Sequence, residues 1–124
     1  DVSVPISSIP RFLEEASRAV AAVVPGARPV PFGHIGDGNI HFNISQPQGG
    51  DKAAFLARLD EVNRVVHDIV HAYGGSISAE HGLGQAKVDE ITRYKSPAAL
   101  EAMRAVKRAL DPLSIMNPGK VVRV

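Results

Sequence analysis

The chain has 124 residues, 44% of them hydrophobic and 22% charged, and its formal net charge at neutral pH is +1. This size and composition are ordinary for one globular domain with a buried core. The near-zero charge, with basic residues scattered along the chain, gives no support for a nucleic-acid or acidic-membrane ligand. Because the chain has no cysteine, neither a disulfide nor a thiolate metal site can form. Any metal must be bound by histidine, carboxylate or amide groups.

Apolar periodicity and turn residues predict seven main elements. They are a strand over Val2–Pro5, a helix over Ile9–Val23, strands over Arg28–Ile35 and Asn39–Ser45, a helix over Lys52–Tyr73, a strand over Ser76–Glu80 and a final helix that begins at Ser96-Pro97. The helices repeat apolar residues at three- and four-residue spacing, and the last strand alternates polar and apolar residues. This order predicts an α+β fold, with helices on one face of an antiparallel sheet in a ferredoxin-like arrangement. No long linker divides the chain, so residues 1–124 are predicted to form a single domain.

The stretch GHIGDGNIHFN, residues 33–43, predicts a hairpin with one histidine on each strand. Asp-Gly is the strongest short-range signal for a two-residue turn, which would place His34 directly opposite His41. Opposed side chains on one sheet face lie about 5 Å apart at Cβ. Two imidazoles at that distance can bind one metal ion at about 2.0–2.1 Å from each nitrogen. Alternation adds Asn43 to the same face and turns the apolar residues of the strand toward the core.

A second polar group follows in SISAEHGLGQ, residues 76–85. Glu80 would end a strand beside the hairpin, and its carboxylate would complete a ligand set of two histidines and one glutamate. Such a set leaves one coordination position open for a substrate. His81, next to Glu80 at a glycine turn, would stay off the metal and act as a general base.

The residues alone leave two other functions open. The histidines could lie on the exposed sheet face of a non-catalytic α+β module that binds a ligand or another protein. Alternatively, His34, His41 and Glu80 could activate water in a metal-dependent hydrolase. A further pair, His67 and His71, shares one face of the second long helix. It lacks a third ligand and is interpreted as part of a solvated helix face.

Three motifs also carry a family resemblance. GHIGDGNIHFN, SAEHGLGQAK and LDPLSIMNPGK, in this order and at these separations, resemble the C-terminal domain of FAD-linked oxidases. The branch is that of the D-2-hydroxy-acid dehydrogenases in the vanillyl-alcohol oxidase superfamily, with D-lactate and D-2-hydroxyglutarate dehydrogenases and the flavin subunit of glycolate oxidase. The resemblance covers essentially the whole chain. It implies an oxidoreductase that converts a small D-2-hydroxy acid to a 2-oxo acid, with FAD and a divalent metal, usually zinc, as cofactors.

Carried over by position, the resemblance implies roles for six residues: His34, His41 and Glu80 bind the metal, Asn43 and His81 contact the substrate, and Asn117 approaches the flavin ring. His81 would take the proton from the substrate hydroxyl while the hydrogen on C2 leaves as hydride to the flavin. The bound metal would lower the pKa of that hydroxyl. The flavin and the substrate class rest on the resemblance alone.

The family's FAD-binding domain has no counterpart in these 124 residues. The chain is therefore interpreted as the C-terminal portion of a longer flavoenzyme, with the FAD-binding domain as its partner, and the isolated portion is expected to be inactive. No apolar run approaches the length of a membrane span, about 20 residues. The expected location is the cytoplasm, with association at a membrane surface as an option, or the mitochondrion in a eukaryote. The hydroxy acid, the metal, the electron acceptor and self-association into a homo-oligomer are left open.

Overall fold

The computed structural model describes residues 1–124, and the chain forms two compact units, residues 1–80 and residues 81–124. The regular elements of the first unit are strand β1 (Val2–Ser3), helix α1 (Ile9–Val23), strands β2 (Arg28–His34) and β3 (Asn39–Ser45), and helices α2 (Lys52–Leu56) and α3 (Leu59–Ala72). Those of the second unit are helices α4 (Ile91–Tyr94) and α5 (Pro97–Leu110). None of these helices combines the length and the hydropathy that crossing a bilayer requires. The single domain expected over residues 1–124 stays a prediction.

The three strands form an antiparallel sheet in the order β1-β3-β2. The central strand β3 pairs with the short β1, where Val2 lies opposite Ile40, and with β2 along its full length. The α+β class and the antiparallel sheet that the sequence predicts are confirmed. The predicted strand over Ser76–Glu80 is reduced to one antiparallel bridge between Ser3 and Ser76.

Helices α1 and α3 pack on the apolar face of the sheet and form the core of the first unit. Phe12 of α1 is fully buried, and its ring packs edge-on against Phe42 and Tyr73 at centroid distances of 5.7 and 6.5 Å. The other buried apolar side chains of this core are Val2, Val4, Ile9, Ala16, Val20, Val24, Ala27, Ile40, Val62, Val66 and Val70. Burial of apolar surface contributes about 25 cal/mol per Å². The stability of this unit therefore comes from one side of the sheet.

The predicted helix over Lys52–Tyr73 is interrupted. Asp51 caps α2, because its carboxylate oxygens accept hydrogen bonds from the Ala53 and Ala54 amides at 3.0 and 3.3 Å. After α2 the chain tightens, and the Arg58 amide bonds to the Phe55 carbonyl at 3.0 Å before α3 begins. Such a turn hardly changes the spacing of the apolar residues, and periodicity alone therefore does not detect the break.

The second unit has little regular structure apart from α5. Ser96 caps α5 through its Oγ, which accepts a hydrogen bond from the Ala99 amide at 3.2 Å. Pro97 occupies the first turn, where its missing amide hydrogen costs nothing. The tail after α5, residues 111–124, forms turns and bends.

Candidate metal centre

The side chains of β3 point alternately to an apolar face and to a polar face of the sheet. Its apolar side chains pack into the core, and the alternate side chains Asn39, His41 and Asn43 lie on the opposite face. Paired residues share a face, so His34 lies on this polar side through its pairing with Asn39. Both histidines of the hairpin are therefore on the face opposite to the core helices.

The predicted direct pairing of His34 with His41 is wrong. His34 lies opposite Asn39 and His41 lies opposite Phe32, so the register is displaced by two residues. The cause is the connection 35–38, which is a 3₁₀ turn followed by a left-handed glycine instead of a two-residue turn. A displacement of two residues preserves the alternation of side chains. The two histidines consequently stay on one face.

Asp37 and Gly38 have separate roles in this connection. Asp37 Oδ1 accepts a hydrogen bond from the Asn39 amide at 3.0 Å, which closes the turn. Gly38 has a φ of 82°, and its carbonyl accepts a hydrogen bond from the Val4 amide at 3.1 Å. A Cβ at Gly38 would lie 2.2 Å from the Val4 carbonyl oxygen. Glycine is thus required both by the backbone angle and by the close approach of the chain beyond β1.

The two hairpin histidines and Glu80 converge on one point. His41 Nε2 lies 2.9 Å and His34 Nε2 lies 3.6 Å from the same carboxylate oxygen, Glu80 Oε1. The two imidazole rings are nearly perpendicular, with their centroids 5.7 Å apart. Ligand atoms at about 2.1 Å from a tetrahedral ion lie about 3.4 Å from one another. The two observed nitrogen–oxygen separations bracket that value, as expected if Glu80 shares a divalent cation with each imidazole.

The candidate centre is closed on one side and open on the other. The side chain of His41 is 14% exposed, whereas those of Glu80 and His34 are 45% and 60% exposed. The ring of Phe32 lies beside that of His41, with a centroid distance of 5.1 Å. A ligand set of this kind, with one shielded and two accessible members, leaves room for a small molecule on the metal.

Glu80 reaches the centre on an irregular segment. Ser3 and Ser76 exchange two backbone hydrogen bonds of 2.9 Å, and the pairing stops there. Ser76 Oγ then donates to the Ser78 carbonyl at 2.8 Å and accepts from the Ser78 amide at 3.3 Å. The strand expected over Ser76–Glu80 is therefore wrong beyond Ser76, because side-chain hydrogen bonds replace the ladder.

Asp1 lies beside two of these candidate ligands, His41 and Glu80, and was not among the residues predicted from the sequence. The candidate ligand atoms of Asp1, His41 and Glu80 lie within 4.8 Å of one another. Asp1 Oδ2 also accepts hydrogen bonds from the amides of Ala79 and Glu80, at 2.8 and 3.2 Å. Nothing in DVSVP indicates this role, because it depends on the pairing of β1 with β3 and on contacts with residues 78 and 79 positions away.

A polar cleft of about 380 Å³ adjoins the candidate centre through Glu80. Its polar lining residues are Ser3, Asp37, Asn39, Ser76, Ser78 and Glu80. Asn39 is only 6% exposed, and its Oδ1 and the Oγ of Ser78 are buried without a hydrogen-bond partner. Buried polar atoms are normally satisfied, which makes the cleft a place for water or for a polar ligand group.

Two other predicted site residues are exposed. Asn43 lies on the polar face of β3, two positions beyond His41. His81 directly follows Glu80 in the chain and is the first residue of the second unit. Both residues are exposed, and their roles toward a substrate stay predictions.

Asn117, the predicted flavin contact, lies in the tail of the second unit. It lines an apolar groove of about 620 Å³ between α5 and the tail. The start of this tail is held by Asp111, which accepts hydrogen bonds from the amides of Ile115 and Met116 at 3.0 and 2.9 Å. The Lys107 ammonium beside Asp111, together with these amides, holds the pKa of that carboxyl below its usual value. The approach of Asn117 to a flavin stays a prediction.

The second histidine pair differs from the sequence interpretation. His67 is 6% exposed and belongs to the buried side of α3, whereas His71 is exposed. The interpretation of both residues as a solvated helix face is therefore wrong for His67. One histidine of such a pair can be buried when its ring nitrogens find partners inside the protein.

Comparison with known proteins places this geometry in a family. The sequence matches the family described as FAD linked oxidases, C-terminal domain, over residues 1–121. A D-2-hydroxyglutarate dehydrogenase of Stutzerimonas stutzeri is 47% identical over 121 residues, which are 98% of this chain and 26% of the relative. The mitochondrial D-2-hydroxyglutarate dehydrogenases of Arabidopsis thaliana and Danio rerio are 37% and 34% identical over 122 residues, which are 98% of this chain and 20% and 22% of those relatives.

The match includes all three sequence motifs, since it extends over almost every residue of the chain. The chain spans about a quarter or less of the length of these relatives. The resemblance drawn from the motifs is confirmed, and the chain belongs to the FAD-linked oxidases as a C-terminal domain of that family.

Proposed function

We propose that this chain is the substrate- and metal-binding part of an FAD-dependent dehydrogenase that oxidises a D-2-hydroxy acid to a 2-oxo acid. The main support is the approach of two imidazole nitrogens to one carboxylate oxygen, within 3.6 Å, in a chain of this family. The names of the relatives support a substrate of the D-2-hydroxyglutarate class. Lactate and glycolate are the alternatives.

His34, His41 and Glu80 are the proposed ligands of a divalent cation, with zinc as the proposed ion. Such a cation, when bound, supplies Lewis acidity to the hydroxyl and carboxylate of the substrate. Two neutral imidazoles and one carboxylate leave a divalent ion with a net charge of +1, which attracts an anionic hydroxy acid. Three protein ligands also leave a fourth tetrahedral position for the substrate.

His81 is the proposed general base, and Asn43 is a proposed substrate contact. An imidazole exchanges protons near neutral pH, so His81 can accept the proton of the substrate hydroxyl. The amide of Asn43, exposed on the face of His41, can both donate and accept hydrogen bonds. The hydrogen on C2 leaves as hydride, for which FAD, when bound, supplies the acceptor.

Exposed apolar side chains of the second unit support the proposal that it binds another domain. Its exposed large apolar side chains are Val106, Leu110, Leu113, Ile115, Met116, Val121 and Val124. Four of them, Val106, Leu110, Met116 and Val121, line the apolar groove between α5 and the tail, and contiguous exposed apolar surface marks an interaction site. We assign it to the FAD-binding domain of the complete protein, with Asn117 at the flavin. The proposed location is the cytoplasm, or the mitochondrion in a eukaryote, as the names of the plant and fish relatives suggest.

A zinc titration tests the metal centre on the chain itself. Zinc at about 100 times its Kd stabilises a protein by about 2.7 kcal/mol, which raises the melting temperature of a domain of this size by more than about 5 °C. We expect this shift for the unchanged chain and for His71→Ala, which removes an exposed histidine of α3. We expect no shift for His34→Ala. Equal shifts in the two variants would contradict the proposed ligands.

A chimaera tests the reaction. Residues 1–121 would replace the matching segment of the Stutzerimonas stutzeri relative, and reduction of a dye acceptor would be followed with D-2-hydroxyglutarate, D-lactate and glycolate. We expect turnover that is fastest with D-2-hydroxyglutarate. We expect His81→Gln to lower kcat by about 100-fold or more with KM little changed, since it removes a base. Hydrolysis of esters by the isolated chain with zinc would favour the metal-dependent hydrolase instead.

A further inference from the structure

The backbone that carries Glu80 lies outside regular secondary structure, although Glu80 is a proposed metal ligand. Strand pairing ends at Ser76, and no helix or strand includes residues 77–80. A metal ligand must nevertheless be held within a few tenths of an ångström of its working position. Some other group must therefore restrain the backbone on which the Glu80 side chain is mounted.

Asp1 supplies this restraint through its carboxylate. Oδ2 accepts from the Ala79 amide at 2.8 Å and from the Glu80 amide at 3.2 Å, and Oδ1 lies 3.3 Å from the Glu80 amide. Hydrogen bonds from neutral amides to a carboxylate are among the stronger ones in proteins. They act on the two peptide units directly before the Glu80 side chain.

The position of Asp1 is itself well defined by the sheet. β1 pairs with β3 with Val2 opposite Ile40, and the same register continued by one residue sets Asp1 opposite His41. Val2 is 2% exposed and Ile40 is 2% exposed, so this pair is anchored in the core. Asp1 thus directly precedes a core residue, Val2, and its carboxylate bonds to the Ala79 and Glu80 amides.

We propose that Asp1 is a positioning residue of the candidate metal centre and not one of its ligands. Its carboxylate holds the Ala79 and Glu80 amides, and the Glu80 carboxylate is thereby kept against His34 and His41. A fourth protein ligand would close the tetrahedral site, as in structural zinc sites, and would leave no position for a substrate. This inference deepens the proposed function and rests on its metal centre.

The test compares Asp1→Asn, Asp1→Ala and Glu80→Ala in the 124-residue chain. Zinc affinity is measured by competition with a chromogenic chelator. Hydrogen exchange of the Ala79 and Glu80 amides is measured by NMR without metal. Asparagine keeps an oxygen that can accept from both amides but removes the charge, whereas alanine removes the acceptor.

For Asp1→Ala we expect exchange of these two amides to accelerate by about tenfold or more and zinc affinity to fall by about 10- to 100-fold. Asp1→Asn should keep amide protection and zinc affinity within a few-fold of the unchanged chain. Glu80→Ala should abolish tight binding and leave the Ala79 amide protected. An unchanged melting temperature without metal shows that the variants are folded.

Two outcomes would overturn the positioning role. If Asp1→Asn loses as much zinc affinity as Asp1→Ala while both amides stay protected, Asp1 is a ligand. If Asp1→Ala changes neither exchange nor affinity, it has no role in the centre. A chain that binds no zinc at all would contradict the proposed metal centre, and the exchange measurement would still decide whether Asp1 anchors the Glu80 backbone.

Discussion

The hairpin of β2 and β3 and the segment 76–80 bring ligands to the same point by different physical means. The hairpin carries His34 and His41 on a seven-residue ladder whose other face is packed against two helices. The segment carries Glu80 on irregular backbone held by Ser76 and Asp1. One half of the candidate centre therefore depends on the core, and the other half depends on a few polar contacts.

The largest effect is expected from weakening the core beneath the hairpin. Phe12→Ala removes a fully buried ring that touches Phe42 of β3, and a loss of about 3–5 kcal/mol in unfolding free energy is typical of such a change. Leu56→Ala, at a residue that is 48% exposed, should change it by less than about 0.5–1 kcal/mol. Urea denaturation followed by circular dichroism measures the unfolding free energy of both variants. If Phe12→Ala loses no more than Leu56→Ala, the hairpin does not depend on Phe12.

A smaller loss is expected at the turn between the two strands. Gly38→Ala meets both an unfavourable backbone angle and the Val4 carbonyl at 2.2 Å, and we expect it to lower the unfolding free energy by about 2–3 kcal/mol. Gly49→Ala is the matched control, because Gly49 has a φ of 72° with nothing within 4 Å of the added Cβ. It should cost about 1 kcal/mol. If the two variants unfold at the same urea concentration, the contact with Val4 carries no cost.

A still smaller loss of unfolding free energy is expected from substitutions of two serines in the segment 76–80, and the two serines should differ. Ser76→Ala removes two hydrogen bonds to Ser78 and should cost about 1 kcal/mol. Ser78→Ala removes a hydroxyl without a partner and should be close to neutral or slightly stabilising. With zinc present, only Ser76→Ala is expected to weaken binding, by a few-fold. A greater loss from Ser78→Ala, by denaturation or zinc titration, would contradict the assigned hydrogen bonds.

The smallest expected effect is on the pH dependence of stability, and it comes from the tail of the second unit, outside both regions. The pKa of Asp111 is lowered chiefly by Lys107. A carboxyl with a lowered folded-state pKa adds stability above its ordinary value, about 3.9, and this stability is lost as the pH falls through the lowered pKa. NMR titration of the Asp111 carboxyl should show a midpoint below the ordinary aspartate value of about 3.9. A midpoint at or above that ordinary value would contradict the pairing with Lys107.

Local patterns in the sequence predict the elements and the faces that they present. The bounds of α1 agree with the prediction over Ile9–Val23, because apolar residues recur at helical spacing along this whole segment. The predicted register of the hairpin was wrong by two residues. Because side chains alternate with a period of two, the prediction that His34 and His41 share a face was still correct. An error of one residue would have placed one of the histidines in the core.

Long-range polar contacts are what the sequence does not reveal. The link between Asp1 and the Glu80 amide joins residues 79 positions apart and leaves no periodic trace in the chain. The end of the pairing at Ser76 is equally invisible, because SISAE alternates as a strand does. Side chains that bond to irregular backbone are specified by tertiary structure, and local sequence patterns do not predict their positions.

The cleft beside Glu80 has a consequence for the kind of molecule that it can hold. Two buried oxygens, Asn39 Oδ1 and Ser78 Oγ, have no partner within the protein, and each would cost about 1–3 kcal/mol if it were kept dry. A polar group that bonds to these oxygens would avoid that cost, whereas an apolar group placed against them would not. Molecules with hydrophilic groups enter such a cleft at a lower desolvation cost than molecules with long alkyl chains.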